Sequence, residues 1–165
     1  FNGQLWVTSE MAKGSEFYFT IPLESTSQTS LATKMKQFSS FDWKDRTILI
    51  VEDDPASRFY LEELIQTTNA KVLKSKNGQE ALKMFQENNQ VSIVLMDIQL
   101  PDTNGFVLTE KFKTYKPDVP VIAQTAYAMT NDKINAIETG CDDYISKPID
   151  SKELLTLMNK YLDQS

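Results

Sequence analysis

The feature that most constrains the fold is an alternation, after Arg46, of short continuous apolar runs with longer stretches of helical period. Short runs without a polar face are typical of strands buried on both sides of a parallel sheet, which the intervening helices cover. Because parallel strand-helix-strand crossovers are right-handed, five such repeats predict an α/β fold with a doubly wound, five-stranded parallel sheet. The predicted strands are residues 47–51, 71–74, 92–96, 119–125 and 143–146.

The stretches between these runs carry helix start signals. Asp54 followed by Pro55 predicts an N-cap and a first-turn proline for a helix that ends near Thr68. Further helices are predicted over residues 78–88, 105–115 and 130–139, and Asp150 with Glu153 resembles a capping box for the last one. The residues predicted to face the core are Leu61, Leu64, Ile65, Ala81, Leu82, Phe85, Leu154, Leu155 and Met158.

The first 45 residues have a different pattern. Residues 4–9 and 15–22 alternate in polarity around a turn at residues 11–14, which predicts a β-hairpin. Ser, Thr, Gln and Lys then dominate to about Ser40, as in a mobile connector. We therefore divide the chain into a hairpin fragment at 1–23, a linker at 24–45 and one main domain at 46–165.

Composition excludes several classes of function. A net charge of −6 without a long basic stretch argues against nucleic-acid binding, which needs clustered Lys and Arg. No apolar run approaches the roughly 20 residues that span a bilayer, and the single cysteine, Cys141, suits a reducing compartment. We expect this chain to be cytoplasmic and to make no membrane contact of its own, which leaves open whether a larger parent protein is anchored in a membrane. The chain has no histidine, so a phosphohistidine would have to lie on another molecule or domain.

The most informative polar residues fall at the carboxyl ends of the predicted strands, where open α/β sheets bind ligands. Glu52 and Asp53 follow the first strand, Asp97 the third and Lys147 the fifth, and Thr125 closes the fourth. Carboxylates about 4 Å apart repel by roughly 4 kcal/mol at an effective dielectric of 20, so the group needs positive charge. An all-oxygen set suits a hard divalent cation, and we expect Mg²⁺.

Beside such an ion, Asp97 is suited to attack phosphorus, because the metal neutralises the incoming charge and holds the phosphoryl group in line. Lys147 supplies a second positive charge, and Thr125 offers a hydroxyl donor. The expected product is an acyl phosphate, a labile group that serves as a transient signal.

The segments that carry these residues resemble the receiver domains of two-component response regulators. They are Ile48–Asp54, Val94–Pro101 with Asn104 and Gly105, Val121–Ala126 and Gly140–Pro148. The resemblance implies the flavodoxin-like strand order 2-1-3-4-5 and a cis bond between Lys147 and Pro148. It covers about residues 46 to 163, which is essentially a whole domain.

Carried over by motif, the resemblance assigns a role to each of these residues. Glu52, Asp53 and Asp97, with the backbone carbonyl of Gln99, would hold Mg²⁺, and Asp97 would be the phosphorylation site. The family more often has Asp at the position of Glu52, so we expect an altered Mg²⁺ affinity. Thr125 would be the switch hydroxyl, and Tyr144 would be the aromatic residue that reorients on activation. Lys147 would be the invariant-type lysine of the family, whose charge faces a phosphate oxygen.

The hairpin has a resemblance of its own. Residues 2–10 and 13–23 are similar to the last strands of a histidine kinase ATP-binding domain, with Asn2 where that family usually has a glycine. This tail cannot form an ATP site, which leaves open whether the chain is itself an enzyme. The order of tail, linker and receiver implies a hybrid sensor histidine kinase. The implied partner is a histidine phosphotransfer protein or a histidine kinase domain, and Phe59, predicted to be exposed on the first helix, would help to dock it.

Two other functions remain open. A Mg²⁺-dependent aspartyl phosphohydrolase would use the same nucleophile, but it normally needs a second acid nearby, and Gln99 cannot act as one. A pseudo-receiver that only binds partners would not need the acid, threonine and lysine set. For Tyr144 and Phe59, ordinary packing and chance exposure are the alternatives.

Overall fold

The computed structural model describes residues 4–11, 13–20, 41–126 and 140–163. These residues belong to two separate compact units, which divide the chain between Gln37 and Phe38. The first is the predicted hairpin. Its strands are β1 (Leu5–Glu10) and β2 (Gly14–Phe19), which pair antiparallel with Leu5 opposite Phe19, and every residue in them is exposed. The predicted end of the second strand, residue 22, lies outside the described residues.

The second unit contains the five-stranded parallel sheet that the sequence predicts. Its strands are β3 (Thr47–Val51), β4 (Lys71–Ser75), β5 (Val91–Asp97), β6 (Val121–Thr125) and β7 (Asp143–Ser146). Their order is β4-β3-β5-β6-β7, which is the predicted order 2-1-3-4-5 when strands are counted within this unit. The fourth strand begins two residues later than predicted, because Pro120 has no N–H to donate to a ladder.

Four described helices flank the sheet: α1 (Pro55–Gln66), α2 (Gly78–Glu87), α3 (Gly105–Tyr115) and α4 (Ser151–Leu162). A side chain caps each start by accepting a backbone N–H, and the four caps are Asp54, Asn77, Asn104 and Asp150. The first helix ends before Thr68, and Asn69 then adopts a left-handed conformation with φ of 63°. The helix predicted over residues 130–139 lies outside the described residues. None of the described helices has the length and apolarity of a membrane crossing.

The core has two layers, one on each face of the sheet. Ile48 and Ile50 face the layer that includes α1 and α4, whereas Leu49 and Val51 face the layer that includes α2 and α3. The predicted apolar stripes are buried except Leu82, which is half-buried. The packing also reaches back to Trp43, which is 5% exposed and donates its indole N–H to Asn159 Oδ1 at 3.2 Å. The packed unit therefore includes residues that the sequence pattern places in the linker.

Candidate functional site

The sheet brings the predicted polar residues to one edge. In the parallel register, Val51 of β3 pairs with Met96 of β5, so Glu52 and Asp97 follow at the same level. Asp97 is the last residue of β5, because the strand ends one residue later than the predicted end at Met96. Lys147 follows β7, two strands away from β5. Residues that are 95 positions apart in sequence thus reach hydrogen-bonding distance.

Lys147 bridges the two buried carboxylates of this edge. Its Nζ lies 2.8 Å from Glu52 Oε2 and 2.7 Å from Asp97 Oδ2. Glu52 is 1% exposed and Asp97 is 5% exposed. The second oxygen of Asp97, Oδ1, accepts the backbone N–H of Gln99 at 3.0 Å. Both oxygens of Asp97 are therefore oriented by the protein.

Asp53 completes a group of three carboxylates. Single oxygens of Glu52, Asp53 and Asp97 lie within 4.8 Å of one another. Three carboxylates and the Lys147 ammonium leave a net charge of −2 when all are ionised, which one divalent cation neutralises. The donors are all hard oxygens, as Mg²⁺ prefers. The residues present therefore fit this ion.

The pKa values reflect the crowding of these charges. Burial raises the pKa of Glu52, the nearby Asp97 raises it further, and the hydrogen bond from Lys147 only partly opposes them. Burial alone would lower the pKa of Lys147, but its hydrogen bonds to Asp97 and Glu52 outweigh burial and raise it. Lys147 is thus firmly charged, while Glu52 carries an ionisation cost that a cation beside it would relieve.

A cation from α1 holds the chain that carries the acidic pair. One guanidinium nitrogen of Arg58, in the first turn of α1, donates to the backbone carbonyls of Glu52 at 2.7 Å and of Asp53 at 3.0 Å. The sequence analysis did not single out Arg58. Its position four residues after the N-cap Asp54 was visible in the sequence, but its contact with the preceding turn depends on side-chain conformation.

The other predicted residues lie near this edge in different settings. Thr125 is buried at the end of β6, and its carbonyl accepts the N–H of Lys147 at 2.7 Å. Tyr144 is half-buried on β7, where it pairs with Ala123 and packs against the core layer of α2 and α3. The bond between Lys147 and Pro148 is cis, as the resemblance implied.

One exposed surface lies beside the site. Phe59 on α1 is 61% exposed, which confirms its predicted exposure, and Tyr60 is 43% exposed. A cleft of about 340 Å³ has Tyr60 and Lys147 in its wall. Its lining residues are Ala56, Ser57, Tyr60, Leu61, Lys147, Pro148 and Ile149.

Comparison with known proteins decides the family. The family model of the response regulator receiver domain matches residues 48–159. The chain belongs to this family. Its α/β unit is a receiver domain of two-component signalling, and its sheet order and its acidic edge agree with that identification.

Two curated relatives show how such domains occur. The sensor histidine kinase GacS of Pseudomonas protegens is 34% identical over 119 residues, which are 69% of this chain but only 13% of GacS. The polar-differentiation response regulator DivK of Brucella anthropi is also 34% identical over 119 residues, which are 71% of this chain and 96% of DivK. The receiver domain thus matches a small part of one relative and nearly all of the other.

Solved structures show the same fold. A CheY-like receiver domain protein from Methanospirillum hungatei is 30% identical and has a TM-score of 0.68 over 72% of this chain and 94% of its own. The receiver domain of the sensor histidine kinase PA1611 from Pseudomonas aeruginosa is 28% identical, with a TM-score of 0.66 over 72% and 98% of the two chains. That structure has a magnesium ion coordinated in its active-site cleft.

Proposed function

We propose that Asp97 accepts a phosphoryl group from a phosphohistidine on a histidine phosphotransfer protein or a histidine kinase domain, with Mg²⁺ as cofactor. The observation that carries this proposal is the buried Asp97 carboxylate, held 2.7 Å from Lys147 and beside Glu52 and Asp53. A carboxylate in this position is oriented for attack, and one added cation beside it would neutralise the surrounding negative charge.

Glu52, Asp53 and Asp97 would hold the metal, together with the backbone carbonyl of Gln99. Bound Mg²⁺ supplies positive charge to the phosphoryl oxygens and helps to align the reacting groups. Support comes from the net charge of −2, from the raised pKa of Glu52 and from the magnesium in the PA1611 receiver. Arg58 keeps the backbone that carries the acidic pair in place.

The transfer step itself uses the residues of this chain. A carboxylate oxygen of Asp97 forms the new bond to phosphorus, while the bond from phosphorus to the donor imidazole nitrogen breaks and the imidazole leaves with that electron pair. Lys147 is close enough to Asp97 to neutralise a phosphoryl oxygen attached there. The Thr125 hydroxyl would donate a hydrogen bond to another of these oxygens.

We place the conformational response on β6 and β7. Thr125 ends β6, and its neighbour in the next strand is Ser146, two residues after Tyr144. A shift of the Thr125 side chain toward the phosphoryl group would change the space next to Tyr144, which is only half-buried. Tyr144 would then reorient and alter the exposed surface.

The donor would dock on the surface formed by Phe59, Tyr60 and the cleft that Lys147 helps to line. An exposed aromatic side chain beside an apolar cleft and next to the reactive carboxylate is suited to a helical partner. Phe59→Ala should slow transfer from the phosphorylated partner without reducing stability. Val107→Ala on α3, where the native residue is 47% exposed, is the control that should transfer normally. Equal transfer rates for wild type, Phe59→Ala and Val107→Ala would show that Phe59 does not contact the partner.

We also infer a setting for this domain in a larger protein. The resemblance of residues 1–23 to a histidine kinase tail, followed by a linker at 24–45 and the receiver at 46–165, supports a hybrid sensor histidine kinase whose receiver is cytoplasmic. The match to a part of GacS supports the same arrangement. The receiver would then work as a relay within that protein's phosphoryl transfer.

The proposal is tested by incubating the chain with Mg²⁺ and acetyl phosphate and measuring the adduct by intact mass and alkali lability. One phosphoryl group per chain is expected, with none in Asp97→Asn and a normal amount in the control Asp118→Asn, which changes an exposed carboxylate. Turnover of external phosphomonoesters would instead support a phosphohydrolase. Neither adduct nor turnover would support a binding module without phosphorylation.

A further inference from the structure

The loop that follows Asp97 is fixed at its base. Residues 98–104 connect β5 to α3, and Gln99 and Asn104 form an isolated antiparallel bridge across the loop. The N–H of Gly105 donates to the Ile98 carbonyl at 2.9 Å. A Cβ on Gly105 would lie 2.3 Å from the Asp97 carbonyl oxygen, so only glycine permits this close approach.

The tip of the same loop is tied to another helix. Asp102 Oδ1 accepts the N–H of Gly78 at 2.8 Å, and Oδ2 accepts the N–H of Gln79 at 2.9 Å. These are two of the free N–H groups at the start of α2, where a negative charge is favoured. Asn77, the helix's own cap, takes a different N–H, that of Glu80, at 2.8 Å. The loop and the start of α2 therefore share one set of capping bonds.

The contact is also tight in its packing. A Cβ added to Gly78 would lie 2.3 Å from Cγ2 of the Thr103 side chain, so a side chain at this position would require Thr103 to move. The hydrogen bond from Gly78, followed by that from Gln79, lowers the pKa of Asp102, so its carboxylate is ionised at neutral pH. Two charge-assisted bonds thus anchor the tip of the loop. Its base is held separately, by the bridge between Gln99 and Asn104 and by the Ile98 N–H, which donates to the Gln124 carbonyl at 3.3 Å.

The loop's position matters because Gln99 lies in it. The Gln99 N–H donates to Asp97 Oδ1 at 3.0 Å and so helps to orient that carboxylate. We propose that Asp102 is a positioning residue: by holding the 98–104 loop on the start of α2, it sets the orientation of the Asp97 carboxylate and of the Gln99 carbonyl. The expected effect on Mg²⁺ rests on the proposed function, whereas the effect on the Gln99 N–H does not.

The test compares Asp102→Ala with Asn77→Ala in the full chain. Both variants remove a cap from α2, but only Asp102→Ala releases the loop. We expect Asp102→Ala to weaken Mg²⁺ binding about tenfold by calorimetry, as loss of an outer partner of a metal site does. Amide exchange at Gln99, followed by NMR, should accelerate by a similar factor. Asn77→Ala should leave both quantities near their wild-type values.

Asp102→Asn is the conservative variant. Its single amide oxygen can accept one of the two N–H groups, so its Mg²⁺ affinity should fall between those of wild type and Asp102→Ala. Equal losses in Asp102→Ala and Asn77→Ala would overturn the proposal, since helix stability alone would explain them. If the wild-type chain binds no Mg²⁺, the proposed metal site fails, and the Gln99 exchange rate still decides the role of Asp102: an unchanged rate in Asp102→Ala contradicts it, and a faster rate supports it.

Discussion

The two edges of the parallel sheet use charge in opposite ways. At the carboxyl edge, the buried Glu52 and Asp97 share one cation, Lys147, with a third carboxylate nearby. At the amino edge of β6 and β7, Lys113 lies 2.6 Å from Asp142 Oδ2, and the same oxygen accepts the Val121 N–H at 2.7 Å. The carboxyl edge gathers three carboxylates around one lysine, whereas the amino edge pairs Lys113 with Asp142.

The amino edge also uses cations to complete backbone hydrogen bonding. Lys113 donates to the carbonyls of Pro117 at 3.2 Å and Val119 at 2.9 Å. Lys116 donates to the Phe85 carbonyl and, at 2.8 Å, to the Asn88 carbonyl. The Lys116 ammonium thus caps the carboxyl end of α2. These contacts satisfy carbonyls that a helix end or a turn leaves free. The contacts of the amino edge favour stability, whereas the carboxyl edge keeps an unfavourable charge arrangement, as expected for the proposed phosphoryl transfer.

Lys147→Met should give the largest change in stability and in phosphorylation rate, because it removes the cation of the carboxyl edge. Removing the shared cation leaves two buried carboxylates unpaired, which should lower the free energy of unfolding by about 3 kcal/mol. The rate of phosphorylation should fall about 100-fold, because one preorganised charge at the phosphoryl group is lost. Urea unfolding and initial rates with acetyl phosphate and Mg²⁺ measure the two effects.

A second substitution separates these effects. In the double variant Glu52→Gln, Lys147→Met, one of the two unpaired charges is gone, so much of the lost stability should return. The phosphorylation rate should stay low. A single variant Lys147→Met that phosphorylates at the wild-type rate would show that this lysine is only a structural partner.

The pH dependence of stability should reveal the strain at Glu52. Because burial raises its pKa in the native state, Glu52 ionises first in the unfolded chain as the pH rises above its ordinary value of 4.5. That ionisation favours unfolding, so the free energy of unfolding should fall with rising pH until native Glu52 is ionised too. Glu52→Gln should not show this loss. Its stability relative to wild type should therefore increase as the pH rises from 4.5 to the raised native pKa of Glu52.

These measurements need a chelator, since bound Mg²⁺ would change the ionisation of Glu52. Asp54 and Asp102 have a pKa that backbone hydrogen bonds lower, so they affect stability as the pH falls below 3.8. Their contribution is the same in both proteins and cancels in the difference. A difference that does not change with pH would mean that Glu52 carries no ionisation cost.

Lys113→Met tests the amino edge and should have a smaller effect. The variant keeps the apolar stem but loses two carbonyl contacts and the ion pair with Asp142. The Lys113 and Asp142 side chains are 19% and 32% exposed. We expect a loss of about 1 to 2 kcal/mol after allowing for solvent screening. Phosphorylation should remain normal, and urea unfolding together with acetyl phosphate rates checks both statements.

The matched control is Lys83→Met on α2. Its partner Glu87 lies 4.0 Å away, and the two side chains are 75% and 63% exposed. Such a pair should contribute less than about 0.5 kcal/mol. If Lys83→Met and Lys113→Met lose equal stability, the partly buried pair of Lys113 and Asp142 contributes no more than the exposed pair of Lys83 and Glu87.

Gln124→Met should give the smallest change, and in the stabilising direction. Gln124 is fully buried on β6 beside Asp97, and within the described residues its side-chain amide N and O have no hydrogen-bond partner. A methionine of similar shape should raise the free energy of unfolding by about 1 kcal/mol, because it removes two unpaired polar atoms from the core. Gln66→Met at the exposed end of α1 should change stability by less than about 0.5 kcal/mol. A less stable Gln124→Met would mean that the amide has a partner in solution.

Prediction from the sequence worked where a local pattern carries the information. The caps Asp54 and Asp150 and the start of α3 at Gly105 were predicted at the residues where they occur, because capping depends on a few neighbouring side chains. The late start of β6 after Pro120 was missed, since strand ends depend on pairing as well as on apolar character. Trp43 was missed because one aromatic residue in a polar stretch gives no periodic pattern.

By itself, the sequence determined which residues stand at the strand ends and therefore which edge of the sheet holds Glu52, Asp97 and Lys147. Strand alternation and crossover handedness are enough for that. Only the tertiary structure decided that Lys147 bridges both carboxylates, that Arg58 holds the acidic turn and that Asp102 ties the loop after Asp97 to a distant helix. These contacts depend on side-chain conformation and on packing between elements far apart in the chain, and no local pattern encodes either.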